Sequence, residues 1–430
     1  IFLMTKNLKK QNKIAIIIPR SDFLTSDRVM PPLGPLYIKS LLNENEINVD
    51  IIDNPDEIFI KEFNKYDLVG YSTTTPQSGW VLEHSRMIKK YYPEIITVIG
   101  GPHAKYYFED LIKEKQLDYI VSGEGEIALL KIIKGEEKRK LIVAPKSNQA
   151  ILNSYPIPWR DKSFLTNYHY FIKERRATTA ITGRYCPMTC KFCEARKTGL
   201  ALYSTDRIEK EILDIKNNCG FDAIMFYDDI FAVNLRRVKE LCKVIKPHDI
   251  YFRCFAHSKL FSEEMAKVLY DAGCKIICWG AESGNQVILD NIDKKTKAEE
   301  NYRMAEIILK NGMEAVAFCM IGLPGETKQS IEDTENFIKY FSKNKNFGFD
   351  LTIFYPYKKT YIYDHIEEFD IKINTSNNTI GFYKGKQGSS ECCISTSALT
   401  QEEIIKLKNK ICNIYSRNYT GSKADKLANK

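Results

Sequence analysis

The sequence predicts an α/β protein with an N-terminal doubly wound parallel sheet, a partial (β/α)6 barrel and a small α+β C-terminal segment. Short apolar runs alternate with helix-length amphipathic segments in both halves of the chain, and a proline-stiffened stretch without periodicity separates the halves. At 430 residues the chain is also too long for one ordinary core. We expect domains at 1–140 and 176–354, a linker at 141–175 and a C-terminal segment at 355–430.

Five short apolar runs predict the strands of the N-terminal sheet. Helix-length segments separate them, as expected for a parallel sheet that helices cover on both faces. The runs are 14–18, 48–52, 67–71, 95–99 and 118–121. Because ligands bind beyond the carboxyl ends of such strands, the loops that follow these runs are candidate binding loops.

These loops are rich in glycine, proline and small hydroxyl residues, which let the backbone approach a large flat or phosphorylated ligand. The candidate binding residues are Pro32, Leu33, Ser72, Thr73, Thr74, Thr75, Gly100, Gly101, Pro102, His103, Gly123, Glu124, Gly125 and Glu126. No G-x-G-x-x-G follows the first strand, which argues against a dinucleotide. A single loop histidine such as His103 is more often a hydrogen-bonding side chain than a metal ligand.

Six further apolar runs predict the strands of the barrel. The runs are 177–182, 223–227, 251–255, 275–279, 315–321 and 349–354. Chemistry in such barrels takes place at the carboxyl ends of the strands. Polar or glycine positions follow the second, fourth and fifth runs, and the candidates there are Tyr227, Asp228, Asp229, Glu282, Ser283 and Gly322.

Three cysteines follow the first barrel strand with the spacing C-x3-C-x2-C, at Cys186, Cys190 and Cys193. Three thiolates in one tight loop can hold three irons of a four-iron cluster and leave the fourth iron open to an exchangeable ligand. A structural zinc site would need a fourth Cys or His close by, and none follows before Cys219. The other cysteines are irregularly spread, which favours reduced thiols over disulfides.

The cysteine loop, with Phe192 directly before its third cysteine, resembles the radical S-adenosylmethionine (SAM) superfamily. The resemblance implies a [4Fe-4S] cluster on the three cysteines and SAM bound at the open iron. It also implies that Phe192, Tyr227, Asp228, Asp229, Glu282, Ser283 and Gly322 surround SAM. The Asp-Asp pair stands where many members carry G-G-E, and either aspartate could contact the amino group of SAM.

The N-terminal loops resemble the cobalamin-binding domain found ahead of many radical SAM enzymes. That resemblance implies that the loops line a corrin pocket. The D-x-H-x-x-G motif that supplies an axial histidine in other B12 domains is absent here. Related radical SAM proteins commonly lack this motif as well. The alternative is a vestigial flavodoxin-like domain that binds no corrin.

Together the two resemblances imply a cobalamin-dependent C-methyltransferase that uses a 5′-deoxyadenosyl radical and methylcobalamin. The implied substrate is a small molecule or a peptide, and the implied reducing partner is a flavodoxin or ferredoxin. Relatives use the same cofactors for ring contraction or cyclisation without methyl transfer, and no residue separates these reactions. The chain resembles the methylthiotransferases less, because those enzymes carry cysteines for a second cluster in their N-terminal domain. No cysteine precedes Cys186 in this chain. A non-enzymatic cofactor carrier would not need the carboxylate and glycine motifs.

Composition argues against other kinds of partner. The net charge of +8 comes from scattered lysines, without the dense basic stripe typical of nucleic-acid binding. We see no apolar run long enough to span a membrane, and we expect a cytoplasmic protein.

Overall fold

The chain is described by a computed structural model that covers residues 13–21, 28–53, 55, 62–374 and 391–415. It forms two compact units. Of the described residues, 13–21 and those between 32 and 161 belong to the N-terminal unit, and 28–31 and those from 162 onward belong to the barrel unit. The short segment before Pro32 therefore belongs to the barrel unit, although the chain on both sides of it belongs to the other unit.

The N-terminal unit contains a six-stranded, fully parallel sheet. Its strands are β1 (Lys13–Ile18), β2 (Asn48–Asp53), β3 (Leu68–Ser72), β4 (Ile96–Gly100), β5 (Tyr119–Ser122) and β6 (Leu141–Val143), in the order β2-β1-β3-β4-β5-β6. The five expected strands are confirmed. β6 was not predicted, because three residues are too few to show a periodicity, and it pairs with β5 inside the stretch expected to be a linker.

Helices cover both faces of this sheet, which is why most of its strands are rich in buried apolar residues. The helices are α1 (Leu33–Glu44), α2 (Ser78–Tyr91), α3 (Pro102–Leu111), α4 (Gly125–Ile133) and α5 (Gln149–Ser154). Alternate residues of β1 enter two separate cores, with Ala15 and Ile17 in one and Ile14 and Ile16 in the other.

The strand order places a topological switch point between β1 and β3. From β1 the chain crosses to β2 on one side, and it then returns to β3 on the other side. The loops that leave these two neighbouring strands diverge to opposite faces and open a crevice at their carboxyl ends, where ligands of doubly wound sheets bind. β3 ends at Ser72, so the expected binding loop at Ser72–Thr75 lies at this crevice.

The barrel unit contains a seven-stranded open sheet in the order β15-β14-β13-β12-β11-β8-β7. Its strands are β7 (Tyr170–Ile172), β8 (Arg175–Ala180), β11 (Ala223–Phe226), β12 (Tyr251–Ala256), β13 (Cys274–Glu282), β14 (Glu314–Ile321) and β15 (Phe347–Ile353), and the ribbon strands β9 (Gly183–Arg184) and β10 (Ala201–Leu202) follow β8. The six strands from β8 to β15 in this sheet are parallel and match the six predicted runs. Only β7 was not expected, and it adds an antiparallel edge.

Helices connect the barrel strands along their outer side. They are α7 (Thr205–Leu213), α8 (Leu235–Ile245), α9 (Glu263–Asp271), α10 (Gln286–Asn291), α11 (Ala298–Lys310) and α12 (Lys328–Phe341), and the short α6 (Lys162–Leu165) precedes β7. The inner face of the sheet carries its own apolar cluster, which includes Met225, Cys278 and Val316. Val29 and Met30 pack against this cluster.

The C-terminal segment contains α13 (Tyr361–Asp364), an antiparallel pair of β16 (Lys372–Ile373) with β17 (Ile394–Ser395), and α14 (Gln401–Tyr415). This composition agrees with the expected α+β segment. Residues 375–390 and 416–430 lie outside the described part of the chain. Among the described residues, no helix combines the length and the apolar character needed to cross a bilayer.

The turn that joins β4 to α3 depends on Gly101, and Gly101→Ala tests this. Its φ is +87°, and an added Cβ would lie 2.8 Å from the nitrogen and 2.9 Å from the oxygen of Thr73. We expect the substitution to lower the free energy of unfolding by about 1–3 kcal/mol.

Gly79→Ala is the matched control, because no atom lies within 4 Å of a Cβ added at Gly79, which lies in α2. It should leave stability unchanged or raise it by up to about 1 kcal/mol. Urea denaturation of both variants measures the difference. Equal stabilities for the two variants would show that the Gly101 turn is not constrained.

Candidate functional site

The cysteine loop is carried by the ribbon that follows β8. In this ribbon β9 and β10 pair antiparallel, with Arg184 opposite Ala201, and residues 185–200 form the loop between them. Tyr185 turns the chain into the loop with a φ of +76°. Because the ribbon closes its base, the loop presents Cys186, Cys190 and Cys193 beyond the carboxyl end of the first barrel strand, as expected.

Hydrogen bonds within the loop hold its backbone in place. The amide of Cys186 donates to the hydroxyl of Thr198 at 2.9 Å, and the amide of Thr198 donates to the Cys186 carbonyl at 3.1 Å. The amide of Cys193 donates to the Cys190 carbonyl at 3.2 Å, and the amide of Ala195 lies 3.4 Å from the Cys193 sulfur. The loop is therefore shaped by its own contacts, and one amide is directed at a thiol.

The three thiols form one electrostatic group. Burial raises the pKa of each thiol, and it raises that of Cys193 to about 12. The charges of Cys190 and Cys186 contribute to the rise at Cys193. Deprotonated thiolates at such a site require a nearby positive charge, which iron supplies.

Three thiols in one loop suit a four-iron cluster. No group of three or more His, Cys, Asp or Glu side chains among the described residues is arranged to hold a metal ion. In a four-iron cluster each thiolate binds a different iron, so three neighbouring thiols need not converge on one point.

Asp228 lies at the base of the ribbon. Its Oδ1 accepts hydrogen bonds from the amide of Thr182 at 2.9 Å and from the Thr182 hydroxyl at 2.7 Å. The side chain is buried, and burial raises the pKa of Asp228 to about 7. Although the sequence placed Asp228 among the SAM candidates, the structure directs one of its oxygens to the residue that precedes β9.

Arg237 completes this base and was not predicted from the sequence. Its Nη2 donates to the carbonyls of Thr182 at 3.2 Å and Tyr203 at 2.7 Å, which are the residues on either side of the ribbon. Together Thr182, Tyr203, Asp228 and Arg237 form what we term the ribbon clamp. A sequence signal existed, because Arg237 lies on the otherwise apolar face of α8 with Val238.

The other two residues after the second strand face a more open region. Asp229 is exposed, and its charge adds to the rise in the pKa of Cys186 that burial causes. Tyr227 is 55% exposed, yet desolvation by the surrounding protein raises the pKa of its phenol. Tyr227 also packs edge-on against Phe255.

Glu282 ends the fourth barrel strand in a buried ion pair. Its Oε1 lies 2.7 Å from Nζ of Lys294, and each side chain is only 8% exposed. A register shift between Gly280 and Glu282 and a φ of +60° at Glu282 turn the carboxylate into this position. A Cβ at Gly280 would lie 1.9 Å from the Glu282 oxygen, so only glycine leaves room for the pair.

The remaining barrel candidates lie at neighbouring strand ends. The Ser283 hydroxyl is 3.2 Å from that of Thr334, and Phe192 lies with its ring centroid 5.9 Å from Nζ of Lys294. The amide of Gly322 donates to Oε2 of Glu326 at 2.6 Å. Burial raises the pKa of Glu326 to about 8, so this carboxyl is largely protonated at neutral pH. Neither Lys294 nor Glu326 was among the expected site residues.

In the N-terminal unit, hydrogen bonds link the loops after β1, β3 and β4. The amide of Thr73 donates to the Gly100 carbonyl at 3.0 Å, and the amide of His103 donates to the Thr73 carbonyl at 2.9 Å. Gln77 joins the first of these loops, since its Nε2 donates to the Pro19 carbonyl at 2.7 Å and its Oε1 accepts from Thr74. The structure thus brings three of the expected loops together.

His103 is a buried hydrogen-bonding side chain. Its ring stacks on Tyr107 with a centroid distance of 4.6 Å, and its Nδ1 lies 3.4 Å from the hydroxyl of Thr75. Only 7% of the residue is exposed. This geometry agrees with the role expected for a single loop histidine. The neighbouring Pro102 occupies the first position of α3.

The loop after β5 is held by contacts within the N-terminal unit. Gly123 has a φ of +119°, and a Cβ there would lie 2.8 Å from the Ala144 carbonyl. The Glu124 carboxylate accepts a hydrogen bond from Ser147, and Glu126 is buried in the first turn of α4. Gly125 begins that helix, as Pro32 and Leu33 begin α1. The Glu124 carboxylate therefore bonds within its own unit.

The chain matches two family models, the B12 binding domain over residues 21–133 and the radical SAM superfamily over residues 180–338. It is 27% identical over 391 residues to an uncharacterized methyltransferase of Pyrococcus horikoshii, with 83% of each chain covered. It is 24% identical over 298 residues to an anaerobic magnesium-protoporphyrin IX monomethyl ester cyclase of Rubrivivax gelatinosus. That alignment covers 63% of this chain and 53% of the cyclase. The chain thus spans about half the length of that cyclase.

The fold also matches a solved structure. The radical SAM methyltransferase TsrM from Kitasatospora setae, determined with cobalamin and a [4Fe-4S] cluster bound, superimposes with a TM-score of 0.68. The match covers 86% of this chain and 82% of TsrM at 17% identity. The two matched domains imply SAM, a [4Fe-4S] cluster and cobalamin as cofactors, and they make the protein a radical SAM enzyme. This chain therefore belongs to the radical SAM superfamily, as a member whose radical SAM domain follows a B12-binding domain.

Proposed function

We propose that this protein is a cobalamin-dependent C-methyltransferase that acts on an unactivated carbon of a small molecule or a peptide. The observation that carries the proposal is the order of the two cofactor domains, in a chain that is similar to a methyltransferase over 83% of both lengths. When bound, the cluster with SAM supplies a carbon-centred radical and cobalamin supplies a methyl group. A flavodoxin or ferredoxin is the proposed electron donor.

The chain's first task is to hold the cluster. We assign this role to Cys186, Cys190 and Cys193, because they share one loop and their thiols interact electrostatically. The ribbon clamp supports the loop from below, with a buried carboxylate and a buried guanidinium bonded to the two chain segments that enter and leave it. This arrangement keeps the three thiols at fixed positions, as pre-organised sites require.

Its second task is to orient SAM. We assign the amino group of SAM to Asp229, because Asp229 is exposed and lies close enough to Cys186 to raise its pKa. Asp228 is left to the ribbon clamp. Phe192, Tyr227, Glu282, Ser283 and Gly322 are the other proposed contacts, since they lie at the carboxyl ends of neighbouring barrel strands or in the cysteine loop.

Its third task is to hold the corrin. We assign this role to the loops Pro32–Leu33, Ser72–Thr75, Gly100–His103 and Gly123–Glu126. The support is that hydrogen bonds connect the loops after β1, β3 and β4 near the switch point of the sheet. Because His103 stacks on Tyr107 and lies near Thr75, we do not assign it to cobalt.

Ring closure without methyl transfer is a second candidate reaction. The similarity to the Rubrivivax gelatinosus cyclase favours it, although that match covers only 63% of this chain. Both reactions would use the same three cofactors, so the distinction depends on the products.

Anaerobic reconstitution with iron, sulfide and hydroxocobalamin tests the proposal. With a reductant and SAM that carries a deuterated methyl group, we expect both 5′-deoxyadenosine and S-adenosylhomocysteine, detected by mass spectrometry. The second product reports methyl transfer from SAM. 5′-Deoxyadenosine without S-adenosylhomocysteine would instead support the cyclase-type reaction, and the absence of both would support a cofactor carrier.

We expect reductive cleavage of SAM to be abolished in each of Cys186→Ala, Cys190→Ala and Cys193→Ala, because each variant removes one of the three thiolates that hold the cluster. Cobalamin binding, measured by corrin absorbance after gel filtration, should stay near that of the unmodified protein. Cys412→Ala, on α14, is the control and should retain cleavage. Cleavage by any of the first three variants would contradict the assignment.

Asp229→Asn should weaken SAM binding by about 10- to 100-fold, the usual effect of losing one charge-assisted hydrogen bond. Asp228→Asn, at the adjacent position, is the control. An asparagine oxygen can still accept from Thr182, so SAM affinity should stay close to that of the unmodified protein. Equilibrium dialysis of the reconstituted proteins measures both affinities, and the reverse ranking would assign the amino group to Asp228.

A further inference from the structure

Lys294 is a buried cation that the proposed function does not use. It lies in the turn between α10 and α11, and its ammonium pairs with Glu282 at 2.7 Å. Lysine is rarely buried, because removing its charge from water is costly unless a partner compensates. The Lys294 side chain is only 8% exposed, so its positive charge is kept in a buried position by its ion pair with Glu282.

The turn that carries Lys294 is attached to the cysteine loop itself. The amide of Lys191 donates to the Ile292 carbonyl at 2.8 Å, and the Thr189 hydroxyl donates to the Asp293 carbonyl at 3.2 Å. The ring of Phe192, between the second and third cysteines, lies 5.9 Å from the Lys294 ammonium. These contacts fix the position of the charge relative to the cysteines.

Lys294 and Cys190 lie in adjoining buried segments. Thr189 and Lys191, on either side of Cys190, donate hydrogen bonds to the carbonyls of the two residues directly before Lys294, and both Cys190 and Lys294 are buried. The ammonium is therefore held beside the cysteine loop in a region that excludes water, where charges interact more strongly than in solution.

We propose that Lys294 tunes the reduction potential of the cluster held by Cys186, Cys190 and Cys193. This inference rests on the proposed cluster ligands. Reduction transfers one electron from an external one-electron donor of low potential, which is oxidised, to the cluster, which gains one negative charge. A fixed positive charge beside the cysteines stabilises the reduced cluster and makes its midpoint potential less negative.

Glu282 sets the size of this effect. Its carboxylate partly cancels the ammonium, so Lys294→Met leaves a buried negative charge near the cysteines, whereas Lys294→Met combined with Glu282→Gln removes both charges. Lys294→Arg keeps the positive charge. Lys295→Met is the control, because Lys295 is 60% exposed and solvent screens its charge.

Potentiometric titration followed by electron paramagnetic resonance, on reconstituted protein without SAM, measures the potential directly. We expect a clearly more negative midpoint for Lys294→Met, an intermediate midpoint for the double variant, and midpoints near that of the unmodified protein for Lys294→Arg and Lys295→Met. Iron and sulfide content and corrin absorbance confirm equal loading of the variants.

An unchanged midpoint in fully loaded Lys294→Met would overturn the inference. If Lys294→Met does not assemble a cluster, the double variant decides, since a neutral pair is often tolerated where a lone buried charge is not. Failure of both variants to assemble, with assembly in Lys294→Arg, would assign Lys294 to cluster assembly and also overturn the inference. Because the titration needs no SAM or substrate, its outcome is separate from that of the methyl-transfer assay.

Discussion

The structure depends on one constraint, the parallel pairing of strands in both sheets. Parallel strands place all of their carboxyl ends at one edge, so the residues that follow them are neighbours even when they are far apart in sequence. In the barrel unit this edge carries the cysteine loop, Asp229, Glu282 and Gly322. In the N-terminal unit it carries the loops after β1, β3 and β4. Every proposed cofactor contact follows from this shared edge.

Buried charged side chains are the second feature that organises the barrel unit around the cysteine loop. The ribbon clamp uses Asp228 and Arg237 to bond both ends of the cysteine loop, and the pair of Glu282 with Lys294 lies beside the cysteines. Buried charges are costly, and they persist where hydrogen bonds and partners compensate for the lost solvent. Asp228 and Arg237 bond the chain segments at the two ends of the ribbon, and Glu282 pairs with a cation that lies next to the cysteine loop.

The strands of both sheets were predictable because each needs a run of apolar residues long enough to cross a core. The short β6 and β7 were not, since three residues carry no measurable period. The cysteines and the acidic residues after the strands were predictable from their types and spacing. Lys294 was not predictable, because a lysine in a turn normally faces solvent, and Arg237 was missed although it lies on the apolar face of α8. The partners that bury them, Glu282 and Thr182, are 12 and 55 residues away in the chain.

The sequence by itself determined the class of the protein: two α/β units, a three-cysteine loop after a strand, and glycine-rich loops without a dinucleotide motif. Local pattern suffices for these features because they depend on residue type and short spacing. Only the tertiary structure showed that Asp228 supports the ribbon while the adjacent Asp229 is exposed, and that a lysine lies buried beside the cysteine loop. Those choices depend on contacts between distant segments, and such contacts exist only once the strands have paired.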